Sequence, residues 1–201
     1  MRRVRTMAEE VVRCAWLTKD PIYIKYHDEE WGKPEYNSQR LFEMLCLEGQ
    51  QAGLSWLTIL KKREAYQRLF FEFDPYKIVK LEYSDVFENM IKDEPGVPGL
   101  VKHKRKIESI LNNAKCYARM ENEGEDFSKF IWSFVNHKPI VNRWETNDQI
   151  PSQTSISASL ALSLKAKGFK YVGSTTCYAF MQACGLVNDH LTTCISYNKC
   201  S

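Results

Sequence analysis

Asn37-Ser38-Gln39-Arg40-Leu41-Phe42-Glu43-Met44-Leu45-Cys46-Leu47-Glu48-Gly49-Gln50-Gln51-Ala52-Gly53-Leu54-Ser55-Trp56 contains a helix, a stop and a second start. Leu41, Phe42, Leu45 and Ala52 fall at helical spacing, and Asn37 or Ser38 supplies an N-cap oxygen, so a helix is expected from there to about Gln51. Gly53 closes it. Ser55 can cap a second helix whose buried side takes in Trp56, Ile59, Leu60 and Phe70, ending near Asp74-Pro75, where proline stops propagation. Glu48 is the misfit of the run. It follows Leu45 by one helical turn and Leu41 by two, which puts a carboxylate on the apolar stripe. A buried carboxylate without a partner is costly. A salt bridge, or a cap on the following helix, would satisfy it; alternatively, a carboxylate beside the indole face of Trp56 can hold a flat, electron-poor ring.

Outward from this run the chain stays helical, and strand signals are scarce. A short helix is expected over Asp85 to Lys92, followed by the breaker-rich Pro95-Gly96-Val97-Pro98-Gly99, read as a tight hairpin between helices. Ile107, Ile110, Leu111, Ala114 and Ala118 mark a helix reaching Gly124, and Phe127, Phe130, Ile131 and Phe134 mark the next. Beyond the polar stretch Asn142 to Ser155, helices are expected over Ala158 to Lys167, stopped by Gly168, and over Thr175 to Cys184 and Asn188 to Cys194. The fold class read from this pattern is all-α.

The 201 residues, 44% hydrophobic and 26% charged, suit a single folded enzyme-sized unit and exclude disordered, collagenous and low-complexity classes. A net charge of +3 allows an anionic partner without announcing one. No apolar run approaches the roughly 18 residues of a spanning helix, and Met1 to Val12 lacks the apolar centre of a signal peptide, so a cytoplasmic protein with no membrane partner is expected. Seven cysteines, an odd number, then argue against a disulfide framework and for thiols that are buried, reactive or metal-bound.

Three further constellations stand out. Asp20 to Gly32 crowds Tyr23, Tyr26, His27 and Trp31 among acids; such a segment pins a terminus to the core or forms a pocket wall whose aromatic faces attract a cation. His190 and Cys194 are four apart and would share a helix face, and Cys14 with His27 makes a looser pair near the other terminus; together they form a tetrahedral Cys2His2 set. Lone buried His and Cys residues usually just pack, and Cys177, Cys184 and Cys200 are rival ligands. Four protein ligands would leave no open position, so zinc there would be structural and would tie the two terminal segments together. Finally, Gly99 leads into Lys102-His103-Lys104-Arg105-Lys106 at a helix start. Basic residues there oppose the helix dipole; a solvated first turn is the plain explanation and a nucleic-acid phosphate the sharper one.

Cys14 to Trp16, Tyr26-His27-Asp28-Glu29-Glu30-Trp31-Gly32, Leu47 to Trp56 and Phe180-Met181-Gln182-Ala183-Cys184-Gly185-Leu186-Val187-Asn188-Asp189-His190 together resemble the bacterial DNA-3-methyladenine glycosylase I family, over Cys14 to Cys194. The resemblance implies a helix-hairpin-helix glycosylase fold and excision of 3-methyladenine from alkylated double-stranded DNA, with the free base as product. It carries the zinc ligands onto Cys14, His27, His190 and Cys194, and the base pocket onto Glu48, Tyr26, Trp31 and Trp56, with Trp16 at its border. Gly53 and Leu54 would lie near the gap left by the extruded nucleotide, and Gly99, Lys102 and Lys104 would face DNA. The family lacks the catalytic aspartate used elsewhere in its superfamily, so none is assigned.

The implied organisation is an extension over 1–12 and one monomeric glycosylase unit over 13–201. Its helical core and hairpin span about 38–140, and its zinc-binding part joins about 13–37 to 141–201. The hairpin departs from the family pattern by the extra residues Glu94-Pro95-Gly96-Val97. Two rivals share some features: a zinc-stabilised DNA-binding module has no need of Glu48 on an aromatic-lined face, and a zinc hydrolase needs an open coordination site.

Overall fold

The computed structural model describes residues 11–82, 84 and 99–200. The helix expected over Asp85 to Lys92 and the insertion Glu94 to Val97 lie outside the described residues. Eight helices are present among those described: α1 (Pro21–Glu29), α2 (Ser38–Gln51), α3 (Trp56–Leu69), α4 (Pro75–Ile78), α5 (Lys104–Asn122), α6 (Phe127–Ser133), α7 (Ser155–Ala166) and α8 (Ser174–Ala183). The caps act as their residue types require. Asn37 Oδ1 accepts from the Arg40 amide at 3.0 Å, and Ser55 Oγ accepts from the Thr58 amide at 3.2 Å. Gly53 turns the chain between α2 and α3 with φ +77°, a conformation that side chains disfavour. Helix α3 stops at Leu69, earlier than expected, because Phe71, Glu72 and Phe73 adopt left-handed backbone angles before Pro75 begins α4.

Helix α2 is the axle of the molecule. Every residue from Leu41 to Gln50 is buried, because α3, α5, α6 and α8 all pack around it. The amphipathic stripe is therefore only part of its apolar surface; a helix covered on all sides is a core helix. Three polar side chains are carried inside with it, and two have partners. Glu43 accepts from Arg40, Arg63 and Gln67 at 2.6, 2.8 and 2.8 Å. Gln50 donates to the Lys106 carbonyl at 2.8 Å and accepts from the Tyr66 hydroxyl at 3.3 Å. The third is Glu48.

The expectation of a helix over Asn188 to Cys194 fails, and with it a purely helical fold. Val187–Asn188 forms a short parallel strand, β2, against Ile140–Val141, β1, and Leu191 bridges to Trp144. The Ile140 amide donates to Leu186, the Asn142 amide to Asn188 and the Thr192 amide to Trp144, so the backbone bonds a helix would use are spent across the chain. No helix among the described residues is long and apolar enough to cross a membrane.

Candidate base pocket and metal centre

Helix α1, the N-terminal end of α3 and the C-terminal halves of α2 and α8 surround a cavity of about 310 Å³, at the small end of the range for small-molecule sites. Its walls are Trp16, Tyr23, Tyr26, Trp31 and Trp56, with Glu48 and Gln51 from α2. Asn147, Ile150, Pro151, Ala179 and Gln182 complete the lining. The rings brace one another at an angle: Trp16 lies 5.0 Å from Trp31 and 5.1 Å from Tyr23, and Tyr26 lies 5.4 Å from Trp56, centroid to centroid. Such tilted and edge-to-face contacts are the favoured geometries for neighbouring rings.

Glu48 is only 5% exposed and makes no hydrogen bond or ion pair with a described residue. Burial pushes its carboxyl up to about 8. The Tyr26 hydroxyl and the Trp56 Nε1 are also buried without a partner among the described residues, so three polar groups bordering one hollow are left unsatisfied there. Burial, then the nearby Glu48 charge, holds the Tyr26 phenol well above its ordinary range. Such a chamber attracts a flat cation with hydrogen-bond donors: the rings supply cation–π attraction and the carboxylate a charge-assisted acceptor. The salt bridge or cap considered for Glu48 is absent among the described residues; Glu43, five positions earlier, holds the arginines instead.

Behind Tyr26, on the same turn of α1, His27 points the other way. Cys14, His27, His190 and Cys194 are all buried, and their ligand atoms lie within 4.8 Å of one another. The Cys194 sulfur is 3.4 Å from His27 Nε2 and 3.5 Å from His190 Nδ1, and the Cys14 sulfur is 3.5 Å from His190 Nδ1. A tetrahedral ion with bonds of about 2.3 Å to sulfur and about 2.05 Å to nitrogen sets such atoms about 3.6 Å apart, so the donor set fits a metal ion. The outer nitrogens fit as well. His27 Nδ1 is 2.7 Å from Asp28, itself held by Arg13, and His190 Nε2 is 3.1 Å from the Trp31 carbonyl. These contacts place the ring protons outward and turn the lone pairs toward the sulfurs. The two thiols are coupled to each other: their mutual hydrogen bond holds Cys194 below the ordinary thiol range and pushes Cys14 above it.

Gly32 permits the approach of His190: a Cβ there would sit 2.9 Å from Nε2, and φ is +81°. His190 and Cys194 meet through a tight turn closed by the Cys194 amide on the Leu191 carbonyl at 2.8 Å, not along a helix face. Cys177, Cys184 and Cys200 fall outside the cluster; Cys200 packs behind His190, with its sulfur 3.9 Å from the Trp31 carbonyl.

The residues expected to face DNA are scattered around the start of α5 and the Gly53 turn. Leu54 is 38% exposed, and Gly53 has open space around it. Gly99 is buried, and its carbonyl accepts from Lys62. Lys102 and Lys104 are exposed, with Lys104 3.9 Å from Glu108. Lys106, the last of the basic run, turns inward: it is buried, and its ammonium donates to the Gln50 and Ala52 carbonyls at 2.7 and 2.6 Å, capping the end of α2.

Sequence reasoning missed Gln51, Asn147, Ile150, Pro151, Ala179 and Gln182 as lining. Of these, only Gln51 and Gln182 fell inside the quoted runs, where polar residues among apolar ones gave a signal.

A small aromatic chamber around an unpaired acid, backed by a Cys2His2 cluster on a helix-rich scaffold, defines a base-recognition protein, and the family follows from comparison. A family model described as methyladenine glycosylase matches residues 16–197, and the chain belongs to that family. It is 54% identical over 185 residues to DNA-3-methyladenine glycosylase 1 of Escherichia coli strain K12, covering 92% of this chain and 96% of that protein. A crystal structure of 3-methyladenine DNA glycosylase I superposes with a TM-score of 0.87 at 50% identity, over 92% of this chain and 98% of the other. The Staphylococcus aureus enzyme, solved to explain its recognition of 3-methyladenine, gives 0.85 at 41% identity, over 92% and 96% of the two chains.

Proposed function

We propose that this chain is a DNA-3-methyladenine glycosylase: it hydrolyses the N-glycosidic bond of 3-methyladenine in alkylated duplex DNA, releases the free base and leaves an abasic site. The observation that carries the reading is Glu48 of α2, buried without a partner among the described residues in an aromatic-walled hollow. Family membership and the relatives' activities support it.

The chemistry follows from the charge of the lesion. An adenine methylated at N3 is a cation, so its glycosidic bond is already weakened and needs no strong acid catalyst. The lesion is flipped from the duplex into the hollow, where Tyr and Trp faces each contribute about 0.5–2 kcal/mol of cation–π attraction. The Glu48 carboxylate pairs with the cation and compensates for its own desolvation, while water attacks the sugar as the base departs. A neutral adenine offers no such compensation and is rejected. On this reading the exposed Leu54 beside Gly53 would approach the duplex gap and the exposed Lys102 and Lys104 would approach phosphates, while the buried Gly99 would act through the turn it begins.

Zinc is the ion the cluster would hold, since two thiolates and two imidazoles in a tetrahedral arrangement are its preferred set. With four protein donors it supplies no reactive position, and its role is to join the segment around Cys14 and His27 to that around His190 and Cys194 in one glycosylase unit. Base release from methylated duplex DNA, with Glu48 and Trp56 variants beside the wild type, tests the assignment. Free 3-methyladenine released by the wild type and strongly reduced by Glu48→Gln supports it; equal release by both removes Glu48 from the mechanism.

A further inference from the structure

We propose that Gln182 is a specificity-determining residue that reads position 6 of the base, its amide oxygen accepting from the 6-amino group of an adenine lesion and repelling the 6-oxo group of a guanine lesion. The inference rests on the base-pocket reading above and adds to it a second kind of discrimination. Glu48 and the rings select positive charge, and a guanine methylated at N3 carries that charge too. Charge alone therefore does not separate the two purines; a contact at position 6 would.

Gln182 lies on α8, half-buried, on the cavity lining. Its orientation is fixed from behind. Its Nε2 donates to Asp189 Oδ2 at 2.9 Å, and Asp189 is completely buried. The same carboxylate accepts from Asn142 Nδ2 and Trp144 Nε1 on one oxygen, both at 2.7 Å, and from the Tyr178 hydroxyl on the other at 2.6 Å. A carboxylate gripped by four donors does not turn, and it accepts only N–H or O–H. The Gln182 amide therefore cannot flip without setting its carbonyl against Asp189. Its Oε1, which has no partner among the described residues, is left as the side chain's free acceptor. Adenine presents an amino donor at position 6 and guanine a carbonyl acceptor there, so one fixed acceptor separates them.

The test measures kcat/KM for release of 3-methyladenine and of 3-methylguanine from methylated duplex DNA by wild type, Gln182→Met and Gln182→Ala. Both substitutions suit a helix, and thermal melts check that the variants fold; if one fails, the other carries the comparison. The expected result is about a tenfold loss on 3-methyladenine with no loss on 3-methylguanine, so that the preference between the lesions falls about tenfold. Equal losses on both lesions, or no change on either, would overturn the proposal. Wild-type release of 3-methyladenine is the control: if it is absent, the glycosylase reading itself falls, whereas if it is present with an unmoved ratio, only the role of Gln182 falls.

Discussion

The hollow and the Cys2His2 cluster are built from the same helix turn, yet they treat buried polarity in opposite ways. In the hollow, the Glu48 carboxylate, the Tyr26 hydroxyl and the Trp56 Nε1 have no partner among the described residues. Around the cluster, Asp28 bridges His27 and Arg13, the Trp31 carbonyl meets His190, and Asp189 has four donors; among the described residues the Ser196 hydroxyl is the exception. Unsatisfied groups mark the place for a ligand that comes and goes, and satisfied ones mark a permanent joint.

The largest effect should come from breaking the joint. Cys194→Ser, or removal of metal by a chelator, should lower the melting temperature by more than about 10 °C, since a chain of this size loses about 2–4 °C per kcal/mol and metal ligation contributes several. Elemental analysis should give about one zinc per chain. Folded, active protein without metal would erase the distinction between the two regions.

Glu48→Gln should act on activity and stability in opposite directions. Excision should fall about a hundredfold, the usual cost of deleting one preorganised electrostatic contact. Stability should respond to pH. Burial raises the folded-state value from 4.5 to about 8, so the folded protein keeps a proton that the unfolded chain releases. Wild-type stability is therefore undiminished below about pH 4.5 and declines, by about 1.4 kcal/mol per pH unit, until the folded group also ionises. The variant lacks this decline, so its melting temperature should rise relative to wild type between pH 5 and pH 9. Parallel melting curves across that range would place Glu48 in a satisfied network instead.

The same ionisation sharpens the functional side. In wild type, kcat/KM should climb with pH and level off above about 8, reporting the charged carboxylate of the free enzyme, whereas the residual activity of Glu48→Gln should lack that limb.

A matched pair gives the smallest and cleanest contrast. Tyr178→Phe removes a hydroxyl that donates to Asp189 and should cost about 1–2 kcal/mol in urea denaturation. Tyr26→Phe removes one that donates to nothing among the described residues and should cost less than about 0.5 kcal/mol. Equal costs would mean the hollow is wired like the joint.

Local chemistry explains what could be read from the chain in advance. Asn37, Ser55 and Gly53 declare the ends of α2 and α3 through caps and a turn, which depend only on neighbours. Glu48 stands out as an acid on an apolar stripe, whereas seven cysteines leave the metal ligands open until the family resemblance selects Cys14 and Cys194. What stayed hidden depends on distant strands and loops. Asn188 to Cys194 gave up helical hydrogen bonds to residues 140–144, and the polar stretch around Asn147 to Pro151 closes the cavity only after that pairing. Lys106 reads only as the end of a basic run, because nothing in its own segment discloses the α2 carbonyls it serves.

Tyr26 and His27 are successive residues, and Trp31 serves both sites, its ring lining the hollow and packing on His190 while its carbonyl meets that histidine's Nε2. A designer who wished to admit bulkier lesions could not do so by sliding α1 outward, because the imidazole would travel with the phenol and leave its sulfur partner. Room has to be made by trimming rim side chains such as Trp16 or Tyr23, so new specificities for this scaffold are to be sought at its mouth.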